Sequence, residues 1–322
     1  MKPVIDALIR YQHTGIANNA LILGSKGSGK SVLARYLMKL LIQKQQLKFA
    51  YVNCRQSNTS FKILASLLGV KTRGCSLDEL WHKFTDSHKS KTVFILDEID
   101  FINEKKDKHK QILYLISRSA KNYMAILLSN NLRFMDCLDE SIKSTLQPEI
   151  VHFGNYNATE MQKILIERAR TGLAFLPSRE INEIAAMTVA NTNSDVRVGI
   201  KTLYLWALEP NVPPKEHFEK ARHDITLDVL KDLNDKNLII LKAALAHKNS
   251  FVKDIYEAYR TISAQYNEEP FSYVHFYANL SYLQSLGLIL LISTKVNRTY
   301  TNRIEMTFDP SILATIWQLR FG

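Results

Sequence analysis

The sequence predicts an α/β fold with a parallel five-stranded sheet, followed by a small all-α domain and a C-terminal winged helix. Three observations support this prediction. Residues 24–31 read GSKGSGKS, which fits the phosphate-binding P-loop pattern G-x-x-x-x-G-K-[ST]. Up to residue 153, short apolar runs alternate with helical periodicities, as in a parallel sheet covered on both faces. After about residue 155 helical patterns follow, and a hairpin pattern returns near the C-terminus.

The P-loop has the flanks that its function needs. Ala20–Leu23 is an apolar run typical of a strand, and a helical periodicity begins at Ser31. A strand, a glycine loop and a helix N-terminus together form an anion site lined by backbone N–H groups. Lys30 is placed to reach the β- and γ-phosphates, and Ser31 to hold Mg²⁺. The predicted cofactors are ATP or ADP with Mg²⁺, and the predicted binding residues are Gly24, Ser25, Lys26, Gly27, Ser28, Gly29, Lys30, Ser31 and Val32.

A second apolar run ends in two carboxylates. Thr92–Asp97 has the composition of a buried strand, and Glu98 follows it directly. In a P-loop enzyme such a strand lies beside the P-loop strand. Asp97 is then expected to bind Mg²⁺ through water, and Glu98 to orient or deprotonate the attacking water. Taken alone, the pattern is equally typical of a helix that starts with acidic residues after a buried strand.

The remaining elements follow from periodicity and turn residues. Further strands are predicted at 49–53, 125–129 and 150–153, separated by helices over 31–45, 59–69, 77–88, 108–121 and 137–146. Helices over 158–171, 178–188, 195–208 and 215–233 form the all-α part. The predicted domains are a nucleotide-binding base domain (1–154), a helical lid (155–222) and a winged helix (223–322).

The winged helix is predicted from three helices and a hairpin. Helices are expected over 237–247 and 251–265, and a third from Pro270 until Gly287 ends it. Strands over 288–293 and 303–308 are expected on either side of a polar loop, 294–302.

Composition limits the class of protein and its partners. The chain has 322 residues and a net charge of +11, which favours polyanionic partners such as nucleic acid. Its three cysteines are too few and too scattered for a disulfide framework or a zinc site. No apolar run is long enough to span a bilayer. We therefore expect a reducing, cytoplasmic setting and no membrane partner.

Further motifs carry a resemblance to one family. Ser129 and Asn130 follow a strand, 138–146 reads LDESIKSTL, 156–160 reads YNATE, and Asp195 precedes Arg197 by two residues. With these residues and the C-terminal pattern, the chain resembles the archaeal replication initiators related to the eukaryotic origin recognition complex and its cell-division-control loader. The members of that family are AAA+ ATPases with a C-terminal winged helix.

The resemblance assigns roles to two residues. Asn130 is expected to act as sensor 1, bonded to the γ-phosphate or the attacking water, and Arg197 as sensor 2, reaching the nucleotide from the lid. On residue chemistry alone, capping a helix is the favoured role for Asn130, and a surface ion pair is the favoured role for Arg197.

The resemblance also implies a slow ATPase in which nucleotide acts as a conformational latch. The implied partners are origin-like double-stranded DNA and, beyond it, a replicative helicase or other initiator subunits, at the nucleoid. Two features depart from the family. Ser141 stands where its arginine finger is expected, with Lys143 as a nearby cation, so hydrolysis stimulated by a neighbouring subunit is in doubt. The segment before the first strand is short, so part of the adenine cradle is expected to be thin.

The expected DNA contacts divide between a helix and a hairpin. Residues 269–293 contain no Lys or Arg, so the third C-terminal helix cannot make the commonest contact to guanine. Its Tyr273, Tyr277 and Ser281 are expected to face a groove, or to pack against another domain. On the hairpin, DNA contacts are expected from Lys295, Arg298, Tyr300 and Arg303. A merely solubilising polar loop is the alternative.

A third DNA contact is expected, by resemblance, from an insertion at roughly residues 54–74. The cations of that segment are Arg55, Lys62, Lys71 and Arg73. Two other functions remain open. One is a signalling or defence ATPase whose winged helix docks protein, and the other is a DNA-binding regulator with nucleotide as a fixed structural ligand.

Overall fold

The protein folds into two compact units. The computed structural model describes residues 2–43, 47–70, 74–102, 106–107, 110–119, 122–247, 250–296 and 299–322. The first unit comprises Met1–Gly24 and Gly29–Phe153, and the second comprises Ser25–Ser28 and Gly154–Gly322.

The first unit alternates strands and helices. Its elements are α1 (Lys2–Thr14), β1 (Ala20–Gly24), α2 (Lys30–Gln43), β2 (Lys48–Asn53), α3 (Ser60–Leu68), α4 (Leu77–Ser87), β3 (Thr92–Asp97), α5 (Gln111–Arg118), β4 (Tyr123–Ser129), α6 (Glu140–Leu146) and β5 (Glu149–Phe153). The five predicted strands are confirmed to within two residues at each end. The helix predicted over 137–146 is instead a 3₁₀ turn at Phe134–Cys137 followed by α6.

The sheet is fully parallel, in the order β2-β3-β4-β1-β5. The expectation that the strand ending in Asp97 lies beside the P-loop strand is wrong, because β4 pairs with both and separates β3 from β1. Every residue of β1, β3 and β4 is buried, as expected for strands covered on both faces. One face packs on α3 to α6 around Phe84, Phe94 and Tyr123. The other face packs on α1 and α2 around Leu8 and Tyr11.

Helix α1 was not among the predicted elements, although its signal is present. Val4, Ala7, Leu8 and Tyr11 are all buried and recur at helical spacing. The short segment before the first strand is therefore occupied by a helix that covers one face of the sheet.

The second unit is mostly helical. Its elements are α7 (Ala158–Gly172), α8 (Ser178–Asn191), α9 (Val196–Leu208), α10 (Pro214–Asp232), α11 (Asp235–Ala246), α12 (Val252–Gln265), α13 (Tyr273–Ser285), β6 (Ile289–Val296), β7 (Thr299–Met306) and α14 (Pro310–Phe321). All seven predicted helices from α7 to α13 are present. The predicted domain boundary at residue 222 lies inside α10 and stays a prediction.

The predicted polar loop at 294–302 is wrong. Strands β6 and β7 pair antiparallel from Ile289 opposite Met306 to Val296 opposite Thr299, and residues 297–298 lie outside the described residues. The physical reason is composition, since threonines, a valine and a tyrosine in this stretch favour extended backbone. The unit ends in α14, which was not predicted although Asp309 caps it and Pro310 starts it.

Helices α11 to α13, the hairpin and α14 share one core around Tyr259, Phe276 and Trp317. This is the element order expected of a winged helix, whose assignment stays a prediction. Within the part of the chain that the structure describes, no helix is both long and apolar enough to cross a membrane.

One buried side chain holds the start of the sheet together. Asn19, only 6% exposed, donates from Nδ2 to the Leu146 carbonyl at 2.8 Å and accepts from the Ala125 N–H at 2.8 Å. Its own carbonyl accepts from the Glu149 N–H at 2.8 Å. The residue before β1 therefore fixes β4, β5 and the end of α6.

We predict that Asn19→Ala lowers the free energy of unfolding of the first unit by about 2 to 4 kcal/mol, because two buried backbone groups lose their partner. The measurement is urea denaturation followed by Trp81 fluorescence, in a background whose other two tryptophans are replaced by Phe. The half-buried neighbour is the control, as Asn18→Ala. Equal stability of the two variants would contradict this role for Asn19.

Candidate functional site

The predicted P-loop lysine is buried beside a predicted sensor. Lys30, the first residue of α2, is 6% exposed. Its Nζ donates to the Gly24 carbonyl and to Asn130 Oδ1, both at 2.9 Å. Two residues that are 100 positions apart in sequence therefore meet at one end of the sheet. A buried ammonium group needs such partners, because desolvation of an unpaired charge is costly.

The two predicted Mg²⁺ residues also lie together. Ser31 Oγ donates to Asp97 Oδ1 at 3.0 Å, and Asp97 is only 2% exposed. A hydroxyl and a carboxylate are the hard oxygen donors that Mg²⁺ binds, usually with several waters retained. The donor set therefore fits the predicted ion.

Glu98 adopts an unusual backbone conformation. Its φ of 54° and ψ of 46° lie in the left-handed region, which few non-glycine residues occupy. Asn53 Nδ2 donates to Glu98 Oε2 at 3.1 Å. Asn53 is the register partner of Asp97 on the adjacent strand, so it reaches the same edge of the sheet. Sequence reasoning missed Asn53, although a polar residue ending a neighbouring strand was the available signal.

Asp100, which the sequence analysis did not assign, fixes the end of β4. Its Oδ1 accepts from Ser129 Oγ at 2.9 Å and from the Asn130 N–H at 3.1 Å. Desolvation of this carboxyl raises the pKa of Asp100 above its ordinary value, although both hydrogen bonds act in the opposite direction. The carboxyl oxygen that bonds both groups fixes the backbone that carries Asn130.

Tyr51 is another site residue that the sequence did not reveal. Its hydroxyl donates to Asp97 Oδ2 at 2.7 Å. Burial, as the largest effect, raises the pKa of Tyr51 above its usual value, so the hydroxyl keeps its proton at neutral pH.

The tip of the P-loop, Ser25–Ser28, is part of the second unit and bonds to residues there. Ser25 Oγ donates to Asn155 Oδ1 at 2.9 Å, and the Tyr156 hydroxyl donates to the Ser28 carbonyl at 3.0 Å. Gly27 has a φ of 85°, and a Cβ at this position would lie 2.3 Å from Asp195 Oδ1. Only glycine fits there, both for its backbone and for its space.

Lys26 and Val32, which are also predicted to bind nucleotide, have different surroundings. Lys26 Nζ lies 3.3 Å from Asp232 Oδ2, at the end of α10 within the same unit. Val32 is 66% exposed on α2.

The predicted sensor 2 residue forms an ion pair with its neighbour. Both Nε and Nη2 of Arg197 donate to the Asp195 carboxylate, the first at 2.9 Å. The backbone N–H of Arg197 also donates to Asp195, which caps α9. Asp195 is thus both the N-cap of the helix and the partner of its arginine.

The tyrosines predicted to face DNA pack within their own unit. Tyr273 is 45% exposed and lies edge-on to Tyr256, with ring centroids 5.1 Å apart. The Tyr277 hydroxyl accepts from Asn302 Nδ2 on β7, so it ties α13 to the hairpin. Ser281 is half-buried.

The hairpin cations are only partly described. Arg303 is exposed, and its Cζ lies 5.1 Å from the centroid of the Phe251 ring. Lys295 and Tyr300 are register partners in the hairpin. Arg298 lies outside the described residues, as do the side chains of Lys295 and Tyr300.

The predicted insertion and finger positions lie in the first unit. Arg55 Cζ lies 5.4 Å from the Phe101 ring centroid, and Lys62 Nζ donates to Asn58 at 3.1 Å. Lys71 and Arg73 lie outside the described residues. Ser141 is exposed on α6, and Lys143 Nζ donates to Glu140 at 2.7 Å.

The parallel sheet, the P-loop and the acidic strand end define a P-loop protein of the AAA class. Consistent with this, the model of the AAA domain family matches residues 15–134. The ORC1-type DNA replication protein 1 of Sulfurisphaera tokodaii is 29% identical over 321 residues, covering 90% of this chain and 80% of that protein. The chain is a homologue of the archaeal ORC1-type replication proteins, and the predicted resemblance is confirmed.

Solved structures agree on the fold. The Aeropyrum pernix ORC1 protein in complex with DNA matches with a TM-score of 0.65 and 21% identity, over 99% of this chain and 91% of that chain. The Aeropyrum pernix ORC2 protein in ADPNP and ADP complexes matches with a TM-score of 0.64 and 20% identity, over 99% and 93%. At this identity the matches show the fold alone.

The Asp100 contacts yield a stability prediction. We expect Asp100→Ala to lower the free energy of unfolding by about 2 to 4 kcal/mol, because the Ser129 hydroxyl and the Asn130 N–H both lose their acceptor. Asp100→Asn keeps an oxygen acceptor, so it should be far less destabilised. Equal losses in the two variants, measured by urea denaturation, would contradict the assignment.

The raised pKa of Asp100 adds a pH dependence. Between the ordinary Asp value of about 3.9 and the raised folded value, the folded state binds a proton that the unfolded chain has released. The stability that this group contributes is therefore present below that window and is lost as pH rises through the raised pKa. Asp100→Asn should lack this loss, so its stability relative to the parent should increase with pH across the window.

Proposed function

We propose that this protein binds ATP or ADP with Mg²⁺ at its P-loop and acts as a DNA-binding replication initiator. One observation carries the proposal. The carboxyl end of the sheet gathers Lys30, Ser31, Asp97, Glu98 and Asn130 within hydrogen-bonding networks that meet at neighbouring strands. The homologues are named DNA replication proteins, and related folds are recorded with DNA and with adenine nucleotides.

Each residue has a role that suits its chemistry. Lys30 exchanges the Asn130 and Gly24 oxygens for phosphate oxygens, as a cation that binds β- and γ-phosphates must. Ser31 and Asp97 would hold Mg²⁺, with a hydroxyl and a carboxylate as its oxygen donors. When bound, the ion neutralises the charge that develops on the phosphates. Asn130, whose amide oxygen has then lost its bond to Lys30, is placed to bond the γ-phosphate or the attacking water.

Glu98 is the residue that activates the attacking water. Its Oε2 accepts from Asn53, and the remaining lone pairs of the carboxylate are left to accept a proton from water. Arg197 reaches a phosphate either with the N–H groups that do not bond Asp195 or by leaving Asp195. With Ser141 at the finger position, no guanidinium is supplied there, and we propose that hydrolysis is slow and that nucleotide mainly sets a conformation.

The DNA-binding part of the proposal uses the C-terminal hairpin. Its cations suit phosphates, while α13 offers tyrosines in place of Lys and Arg. We propose that the protein binds origin-like duplex DNA in the cytoplasm, at the nucleoid, and helps to remodel the origin or to recruit a helicase or other initiator subunits. The lack of Lys and Arg on α13 favours one alternative, a signalling or defence ATPase whose winged helix docks protein.

We predict that Lys30→Ala weakens ATP and ADP binding at least about a hundredfold, as expected when a buried phosphate loses its charged partner. Equilibrium binding of a fluorescent nucleotide, with circular dichroism to confirm folding, provides the measurement. Lys39→Ala is the matched control, because Lys39 is exposed on the same helix. A folded Lys30→Ala protein that binds nucleotide like the parent would refute the P-loop assignment.

A second prediction concerns DNA. Replacing Lys295, Arg298 and Arg303 with Gln should flatten the slope of log K against log salt by roughly two to three units, at about 0.9 for each lost phosphate contact. Fluorescence anisotropy with labelled duplex DNA at several salt concentrations measures the slope.

The control for this experiment removes the same charge elsewhere. Lys2, Lys39 and Lys89 are exposed in the first unit, and their replacement with Gln should leave the slope nearly unchanged. If the hairpin variant keeps the parental affinity and slope, the hairpin does not bind DNA, and the protein-docking function becomes the better one.

A further inference from the structure

The carboxylate of Asp97 is held from two sides. Ser31 Oγ donates to Oδ1 at 3.0 Å, and the Tyr51 hydroxyl donates to Oδ2 at 2.7 Å. Ser31 belongs to the P-loop, whereas Tyr51 comes from β2, the edge strand of the sheet. The shorter of the two bonds is the one from outside the P-loop.

The sheet register explains how Tyr51 reaches this position. Tyr51 is the register partner of Ile95, two residues before Asp97 on β3. In paired strands, residues two apart share a face, so Tyr51, Ile95 and Asp97 lie on the same face of the sheet. The long phenol side chain spans the offset and brings its hydroxyl to the carboxylate.

Arg35 orients the hydroxyl group of Tyr51. Its Nη2 lies 3.4 Å from the Tyr51 oxygen, and its Cζ lies 5.6 Å from the ring centroid. A guanidinium group can only donate hydrogen bonds, so the Tyr51 oxygen accepts from Arg35 and its own proton points to Asp97. Arg35 lies on α2 one turn after Ser31, so both bonds to Asp97 depend on the same helix.

We propose that Tyr51 is a positioning residue for the Mg²⁺ site: it fixes the orientation of the Asp97 carboxylate, and Arg35 supports it. The inference rests on the proposed nucleotide and Mg²⁺ site. A carboxylate offers about four lone-pair positions, and the two bonds from Ser31 and Tyr51 leave about two for water molecules around the ion. With Oδ2 fixed, those positions point in a defined direction before the ion arrives.

The consequence is a lower cost of ion binding. Partners that orient a metal-binding group commonly change metal affinity by about 10- to 100-fold when removed. Loss of the Tyr51 hydroxyl should therefore weaken Mg²⁺ binding. The affinity of the P-loop for the nucleotide phosphates in the absence of Mg²⁺ should stay unchanged. A merely structural hydroxyl would affect both equally, or neither.

The experiment compares the parent with Tyr51→Phe, which removes only the hydroxyl. The probe is a fluorescent, non-hydrolysable ATP analogue, titrated in EDTA and then at increasing Mg²⁺ concentration. We expect the Mg²⁺ concentration at half-saturation to rise about tenfold, with unchanged affinity in EDTA.

Two further variants make the result specific. Tyr123→Phe is the matched control, because its hydroxyl also comes from the sheet but donates to the His88 carbonyl at 3.1 Å. It should keep the parental Mg²⁺ dependence. Arg35→Gln removes the guanidinium that donates to the Tyr51 hydroxyl, and Arg35 is exposed. This variant should shift the Mg²⁺ dependence in the same direction as Tyr51→Phe.

The outcomes separate the inference from the proposed function. Suppose that the parent binds the analogue with a clear Mg²⁺ dependence, and that Tyr51→Phe and Arg35→Gln reach half-saturation at the same Mg²⁺ concentration as the parent. Then Tyr51 does not position the site, and the proposed function stands. If the parent shows no Mg²⁺-dependent binding, the proposed function fails and the inference fails with it. An equal loss of affinity in EDTA and in Mg²⁺ also overturns the inference, because it shows a general structural effect.

Discussion

The buried ammonium group of Lys30 is the charge around which the polar site of the first unit is organised. An ammonium group that is almost fully removed from water must be surrounded by oxygen atoms, and here Gly24 and Asn130 supply two of them. Asn130 is held in turn through its backbone by Asp100, and Asp100 also bonds Ser129. The cation therefore links the P-loop, the end of β4 and the turn after β3 into one polar network.

Strand order makes this network possible. In the order β2-β3-β4-β1-β5, β4 lies between the P-loop strand and the strand that ends in Asp97. Asn130, which follows β4, therefore lies between Lys30, which follows the loop after β1, and the carboxylates at the end of β3. Strand β2 lies on the other side of β3, from which Tyr51 and Asn53 reach Asp97 and Glu98. The site draws on four neighbouring strands because the carboxyl ends of parallel strands share one edge.

The polar groups of the site are satisfied by one another. Lys30 bonds Asn130, Glu98 bonds Asn53, and within the second unit Arg197 bonds Asp195. In the proposed reaction Lys30 exchanges its bond to Asn130 for a bond to phosphate, whereas Glu98 and Arg197 keep further acceptor and donor positions for water and phosphate. For Lys30 the exchange replaces a neutral amide oxygen with a charged phosphate oxygen, and hydrogen bonds between charged groups are the stronger ones.

The sequence by itself determined the elements whose cause is local. The P-loop pattern, the five apolar strands and the helices from α7 to α13 follow from spacing and turn residues, and the structure has them within a few residues. The helices α1 and α14 carry the same periodicity and were within reach of the same reasoning. What only the tertiary structure decided is non-local: that β4 lies between β1 and β3, that Tyr51 and Asn53 reach the two carboxylates, and that Asp100 holds Asn130. Those contacts depend on strand order and register, which arise from packing between distant segments, and no spacing along the chain encodes them directly.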